Sequence, residues 1–388
     1  MHRINFIYNE EQFILYALYP ILVNKKRFRD LGFIFNFYKK ISPKIYDCDY
    51  LIIFSKPIQK LLKKTKSIFN KDDEIVNFLV EAKSRVSKII WFDTSDSTSV
   101  THFEVMPFID LYLKKQIFKD KKNYQRKLYG GRIFTDYYHK KYSINDEKNF
   151  NQYFPLKKKD FSKLQLSWNL GIGNILETFD KISVLFRRIF PLNFHTLLKP
   201  SYNHPLKRKS IDFFFRGSLN YERKTINFHR ELLIKKLRII QQRQKLSGVI
   251  RNDLFNEDNI NNTTLLKVKG KLSLREYNYL MSLAKFGLSP FGWGEIGARD
   301  FEIFINGSLL IKPDMSQLET YPDFYKPMET FVTTKCDFED LEDKILDLIN
   351  DRNKREEISL NGQANYRDII SRDGMEKFCR WFEKQIKL

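Results

Sequence analysis

One stretch carries the residue types of a phosphate site: Gly292-Trp293-Gly294-Glu295-Ile296-Gly297-Ala298-Arg299-Asp300-Phe301-Glu302, set between the apolar runs Phe286 to Ser289 and Leu309 to Ile311. Glycines 292, 294 and 297 let backbone amides come close to a ligand, and a helix starting near Gly297 turns its unpaired N–H groups and positive dipole end toward it. Arg299 adds a charge-assisted contact. Glu302, one turn along the same helical face, accepts from a ribose or sugar hydroxyl pair or holds Arg299 in place. Upstream, Arg216-Gly217 closes another apolar run and Lys285 precedes the glycine-rich turn; with Arg299 they offer cations that neutralise a leaving phosphate. Glu295 and Tyr321 complete the candidate ligands. A glycine-rich turn alone is common in α/β proteins. With Arg-x-x-Glu behind it, the stretch reads as a nucleotide-sugar site.

A second group could move a proton. Asp93 and Asp96 follow the apolar run Val86 to Phe92, Glu104 and His139 come later, and any of the four could deprotonate an acceptor hydroxyl. Each also has a plainer reading, the aspartates as helix caps and His139 as a hydrogen-bonded histidine beside two tyrosines. His102 and the Phe-rich runs read as packing. Asp93-Thr94-Ser95-Asp96 has one residue too many for an Asp-x-Asp metal motif, so no metal is expected.

Placing these residues together requires strands that end at a common edge. Residues 3–8, 33–38, 49–54 and 86–92 read as strands buried on both faces, with a helix capped by Asn9 after the first and another over 72–85 before the fourth. Alternation of strand and helix predicts a parallel sheet, whose ligands bind outside the carboxyl ends of the strands. From Ile109 to about Lys159 the pattern loosens into loops or short helices facing a cleft. Ser167 to Asn174 and the basic, proline-containing run Pro200 to Lys209 bracket a hinge with one helix inside it. A second unit then opens at Ile211, with a long helix over about 221–244, short strands at Leu265 to Val268, Phe286 to Ser289 and Leu309 to Ile311, and helices near 273–284 and 297–306.

From Ser289-Pro290-x-Gly292 through the Arg299-x-x-Glu302 helix to the strand at Leu309, the sequence resembles the carboxyl-terminal domain of GT-B glycosyltransferases, most nearly the exostosin-like branch; Phe215-Arg216-Gly217-Ser218 looks like that branch's first strand of the nucleotide-binding domain. The resemblance covers about residues 210–350. It implies an α/β fold of two Rossmann-like domains facing each other across a cleft: residues 1–175 binding acceptor, 176–209 connecting, 210–365 binding a nucleotide-sugar donor, and 366–388 crossing back to the first domain. It implies metal-independent transfer of a sugar to a glycan or lipid-linked glycan, as in surface polysaccharide, lipopolysaccharide or capsule synthesis. A CMP-Kdo-type transferase is the alternative within the fold. One departure stands out: many GT-B enzymes carry two glutamates eight positions apart, whereas Glu295 and Glu302 are seven apart.

Composition bounds these readings. With 388 residues, 42% hydrophobic and 15% aromatic, the chain has material for two cores, which excludes global disorder. Its net charge of +21 favours polyanions, but the basic residues are spread through Lys25 to Arg27, Lys63-Lys64, Lys157 to Lys159, Arg187-Arg188 and Lys207 to Lys209. No nucleic-acid motif accompanies them, so a specific nucleic-acid partner is not expected, whereas an anionic membrane surface is. A non-catalytic basic protein of the same fold that binds membrane or polyanion is the remaining alternative. Cys48, Cys336 and Cys379 are unpaired in spacing, and Met1 to Glu11 lacks a secretory pattern; both point to a cytoplasmic protein, at the inner face of the membrane.

Overall fold

The computed structural model describes residues 1–62, 71–147, 154–173, 201–251 and 272–387. The helix expected inside the hinge and the strand expected at Leu265 to Val268 lie outside them, as do Lys63-Lys64 and Arg187-Arg188.

The first half lays β1 (His2–Ile7), β2 (Phe33–Tyr38), β3 (Tyr50–Phe54), β4 (Lys88–Asp93), β5 (Leu111–Lys114) and, after a short β6 (Gln116–Phe118), β7 (Leu164–Leu166) into one parallel sheet of order β2-β1-β3-β4-β5-β7. α1 (Gln12–Val23), α2 (Lys25–Asp30), α3 (Ser55–Leu62), α4 (Lys71–Arg85) and α5 (Ile133–Tyr142) belong to this half. Continuous apolar runs explain the parallel pairing: Leu51 to Phe54 and Ile89 to Phe92 are buried throughout, so both faces of the sheet must be covered. Asn9 does not cap α1. The helix starts at Gln12 behind Glu11, and Asn9 instead accepts the Glu11 N–H at 3.2 Å in a local turn.

The second half repeats the plan with β8 (Ile211–Arg216), α6 (Lys224–Gln244), β9 (Gly248–Arg251), α7 (Leu274–Ser282), β10 (Ala284–Leu288), α8 (Ala298–Ile305), β11 (Leu309–Pro313), β12 (Leu318–Thr320) and β13 (Val332–Thr334). Its sheet, all parallel, has the order β13-β11-β10-β8-β9, so strand order reverses between β8 and β10. The chain closes with α9 (Leu341–Asn350), α10 (Arg352–Ile369) and α11 (Arg372–Lys387). These are two Rossmann-like sheets in the GT-B manner.

Two features join the halves. β12 pairs antiparallel with β6, Leu318 opposite Phe118, so each half contributes one strand to a ribbon between them. α10 runs through the boundary expected at 365/366, and α11 then packs on the first half. Its apolar stripe of Met375, Phe378, Cys379, Phe382 and Ile386 joins the core formed by α1, α2 and one face of the first sheet, with Phe28 edge-on to Phe382 at 5.2 Å. The crossover implied by the resemblance is therefore present.

Candidate functional site

The carboxyl edges of the two sheets face each other, and the site is built where they meet. In the second half the reversal of strand order puts the end of β8 beside the loop after β10, which is where open α/β sheets bind ligands. Gly217 follows β8 with two guanidiniums against it: Nη2 of Arg230 and of Arg299 stand 1.9 and 3.1 Å from where a Cβ would be, so a side chain there would displace the Arg230 guanidinium. Arg299, from the first turn of α8, donates to the carbonyl of Arg216 and lies 5.2 Å over the Phe215 ring. Arg230, from α6, donates to the carbonyls of Ser218 (2.8 Å) and Phe291 (3.3 Å). Arg216 itself is buried here.

Glu302 accepts from the Tyr277 hydroxyl at 2.9 Å, so a tyrosine of α7 holds the carboxylate that shares a helical face with Arg299. Burial raises the Glu302 pKa against the pull of Arg299. Burial also opposes charge on Arg299, but Tyr277 and Glu302 outweigh it and raise that pKa. Arginines anchored through carbonyl oxygens, beside the start of a helix, form an anion-binding corner.

Beneath the corner, Asp300 is fully buried and bonds Lys312 at 2.5 Å, Tyr325 at 2.6 Å and Ser289, while Lys312 also donates to the Glu295 carbonyl at 2.7 Å. This network fixes the turn from Ser289 to Gly297.

The other expected ligands lie elsewhere. Lys285 sits at the amino end of β10, paired with Asp212 at 2.7 Å, away from the carboxyl edge where Arg299 lies. Tyr321 stacks on Trp381 of α11 at 4.0 Å and serves the crossover. Glu295 turns its carboxylate away from the corner and into the first half, accepting from Ser97 Oγ (2.8 Å), Thr98 N (2.9 Å) and Gln116 Nε2 (3.1 Å). Gly294 stands against the same loop: the Asp96 carbonyl is 1.9 Å from where its Cβ would be. Gly292 packs under the Tyr221 hydroxyl, and Gly297, the N-cap of α8, faces open space. The turn expected to cradle a ligand thus also joins the halves.

Of the proton-transfer candidates, Asp93 is fully buried with Lys114 at 2.8 Å and the Tyr112 hydroxyl at 2.7 Å. Burial alone would raise its pKa; Lys114 and His102 outweigh burial and hold it well below the usual carboxylate range. Asp96 is half-open between Lys56 and Lys115, each at 3.3 Å, which lower its pKa against burial. His139 stacks on Tyr129 at 3.8 Å, with Nδ1 3.1 Å from the Ile144 carbonyl. Only Glu104 of the four lines the cleft between the halves, where it meets His102 Nδ1 at 3.2 Å. Burial works against a charged His102, but Glu104 and Asp93 outweigh it and raise its pKa. The cleft, about 790 Å³, is bounded by Thr101, His102, Tyr124 and Arg132 from the first half and Arg223 and Trp293 from the second. Tyr221, edge-on to Trp293 at 5.6 Å and 5.3 Å from Arg230, divides it from the arginine corner.

Arg230, Tyr277 and Arg132 come from helices and loops distant in the chain, and no motif marks them; His102, expected to be packing, lines the cleft. His229 has no local signal either: its Nε2 accepts the Phe291 N–H at 3.0 Å, which leaves Nδ1–H to face the Tyr138 hydroxyl of α5 at 2.8 Å.

No family model and no curated protein matches the sequence. Among solved structures, the chain is similar to Anabaena HepE in complex with UDP-glucose (9% identity, 99% of this chain and 100% of that one, TM-score 0.44). It is similar also to an alpha-glucosyltransferase in complex with UDP (10%, all of both chains, TM-score 0.47) and to a glycosyltransferase from Rickettsia africae (9%, 100% and 99%, TM-score 0.42). At such identity and overlap the likeness carries no residue roles, and the reading of the site stands on its own geometry.

Proposed function

We propose that the protein is a glycosyltransferase that binds a nucleotide-sugar donor in the second half, in the manner of the exostosin-like branch, and transfers the sugar to a glycan or lipid-linked glycan lying in the cleft. The observation that carries this is the convergence of Arg230 and Arg299 on Gly217, at the point where strand order reverses and beside the first turn of α8. The phosphates of a nucleoside diphosphate would take that corner, Glu302 would accept from ribose hydroxyls, and the guanidiniums would stabilise the leaving phosphate without a metal. Glu104, beside His102 in the cleft, is the best-placed carboxylate to deprotonate the acceptor. Lys25, Lys26, Lys157, Lys158, Lys159, Lys207 and Arg208 are exposed, which supports work beside an anionic bilayer; among the described residues no helix is long and apolar enough to cross one.

Calorimetry with UDP, GDP and CMP tests the donor site. One of the nucleotides should bind the native protein, and Arg299→Ala should weaken it by about 10- to 100-fold, the worth of one charge-assisted hydrogen bond. Glu302→Gln should impair binding or turnover in a folded protein. Absence of binding by all three nucleotides, or a folded Arg299→Ala with native affinity, refutes the assignment.

A further inference from the structure

We infer that the cleft takes an acceptor bearing a carboxylate or phosphate group, held by the guanidinium of Arg132; this rests on the glycosyl-transfer reading and names the class of its second substrate. Arg132 lines the cleft, is 6% exposed, and spends its hydrogen bonds on carbonyl oxygens: Nε on Trp293 at 2.8 Å and Nη1 on Gly130 at 2.9 Å. No carboxylate pairs with it among the described residues. Glu295, Asp96 and Asp146 act on Arg132 from a distance, but a buried cation with no carboxylate in contact is costly, and an anionic ligand would supply that contact.

A second guanidinium comes from the opposite wall. Arg223, 5% exposed, packs Nη1 against Gly130 and meets Asp146 at 3.4 Å. The same carboxylate also accepts from the Thr225 N–H at 2.9 Å and hydroxyl at 3.0 Å, so it is shared between Arg223 and the start of α6. Burial first, and then Arg223, lower the Arg132 pKa to about 10 against the opposing pull of Glu295, Asp96 and Asp146, which leaves it charged at neutral pH. Arg126 and Lys127 lie exposed at the rim, against Glu104 and Glu222 as the acidic members of the lining, so the cleft is net positive. Trp293, 37% exposed with Arg132 5.3 Å from its ring, offers a flat apolar face on which a sugar ring can lie beside its charged substituent.

The chemistry is that of an anionic saccharide, and its charge could come from a uronic acid or from a phosphate ester. The test uses the full chain saturated with the nucleotide it binds best, so that the arginine corner is filled. Binding is measured for a glucuronic-acid oligosaccharide, for its methyl ester, and for a phosphorylated neutral oligosaccharide. One or both of the acidic probes should bind at least about tenfold more tightly than the ester, and which one does so identifies the source of the charge. Arg132→Gln should reduce that preference to within about twofold, while nucleotide affinity stays native; Lys127→Gln at the rim, which leaves the fold's contacts untouched, should reduce it partially and make what remains less sensitive to salt. Equal binding of ester and acids, or a preference that survives Arg132→Gln, overturns the inference. Loss of nucleotide binding in the native protein refutes the donor site instead, so the two failures are distinguishable.

Discussion

Acidification from about pH 7 to about pH 5 should weaken the protein through His229. The imidazole is fully buried, with both nitrogens engaged, and burial, then Arg230, depress its pKa from 6.5 to about 3. In the unfolded chain the same residue titrates near ~6.5. A depressed folded value means that its contribution is complete above the unfolded pKa and is lost as pH falls toward the folded one. Between about pH 7 and about pH 5 the folded state stays unprotonated while the unfolded state takes up a proton, which costs about 2 kcal/mol. Asp93, Asp96 and Asp337, whose pKa values are lowered, lose their contributions mainly below this window. His102 works in the opposite sense, because its raised pKa adds stability as pH falls. The comparison that isolates His229 is therefore with His229→Gln, whose Oε1 can still accept the Phe291 N–H. Urea unfolding at both pH values should show the native protein losing about 2 kcal/mol more than the variant across the window. Equal losses in the two proteins would refute the reasoning.

Asp93→Asn leaves Lys114 buried without its counter-charge and should cost about 3–5 kcal/mol by urea unfolding; a folded variant of native stability that has lost only transfer would instead make Asp93 catalytic. Glu295→Ala strips partners from Ser97, Thr98 and Gln116 and should cost about 2–4 kcal/mol, with nucleotide affinity within about twofold of native by calorimetry. Gly294→Ala drives a Cβ into the Asp96 carbonyl, and a loss of about 1–3 kcal/mol in the same assay is expected, against no change if the turn can shift freely.

The sheets are legible because their strands are short apolar runs at regular intervals, and most of those expected appear within two or three residues of where the sequence puts them. β5, β7, β9 and β13 are not legible: Leu111–Lys114 lies in the stretch that read as loops or short helices but pairs with β4, and Leu164–Leu166 and Val332–Thr334 are three residues each, too short to show a period, and exist because a neighbouring strand supplies the pairing. The ribbon of β6 and β12 pairs residues about 200 apart, which no local pattern encodes. In the site, Arg299 and Glu302 stand out because one helix carries both. Glu295 reads as a ligand because its neighbours in sequence are glycines; its partners are residues 97, 98 and 116, and that distance hides its role. Lys285 stands at the amino end of its strand, so the rule that ligands bind at carboxyl ends already argued against it, and Tyr321 is drawn to Trp381, 60 residues further on, which no local pattern shows.

The docking of α11 has a consequence for synthesis. Phe28, Phe35 and Trp168 of the first half are covered by Phe378, Trp381 and Phe382, which the ribosome makes about 200 residues after Ile172. At ~5–20 residues per second, the nascent first half would wait ~10–40 s with that aromatic face uncovered. Translation speed and chaperone occupancy during this interval then become determinants of yield, and a chain released before Arg372 would display a ready-made aggregation surface.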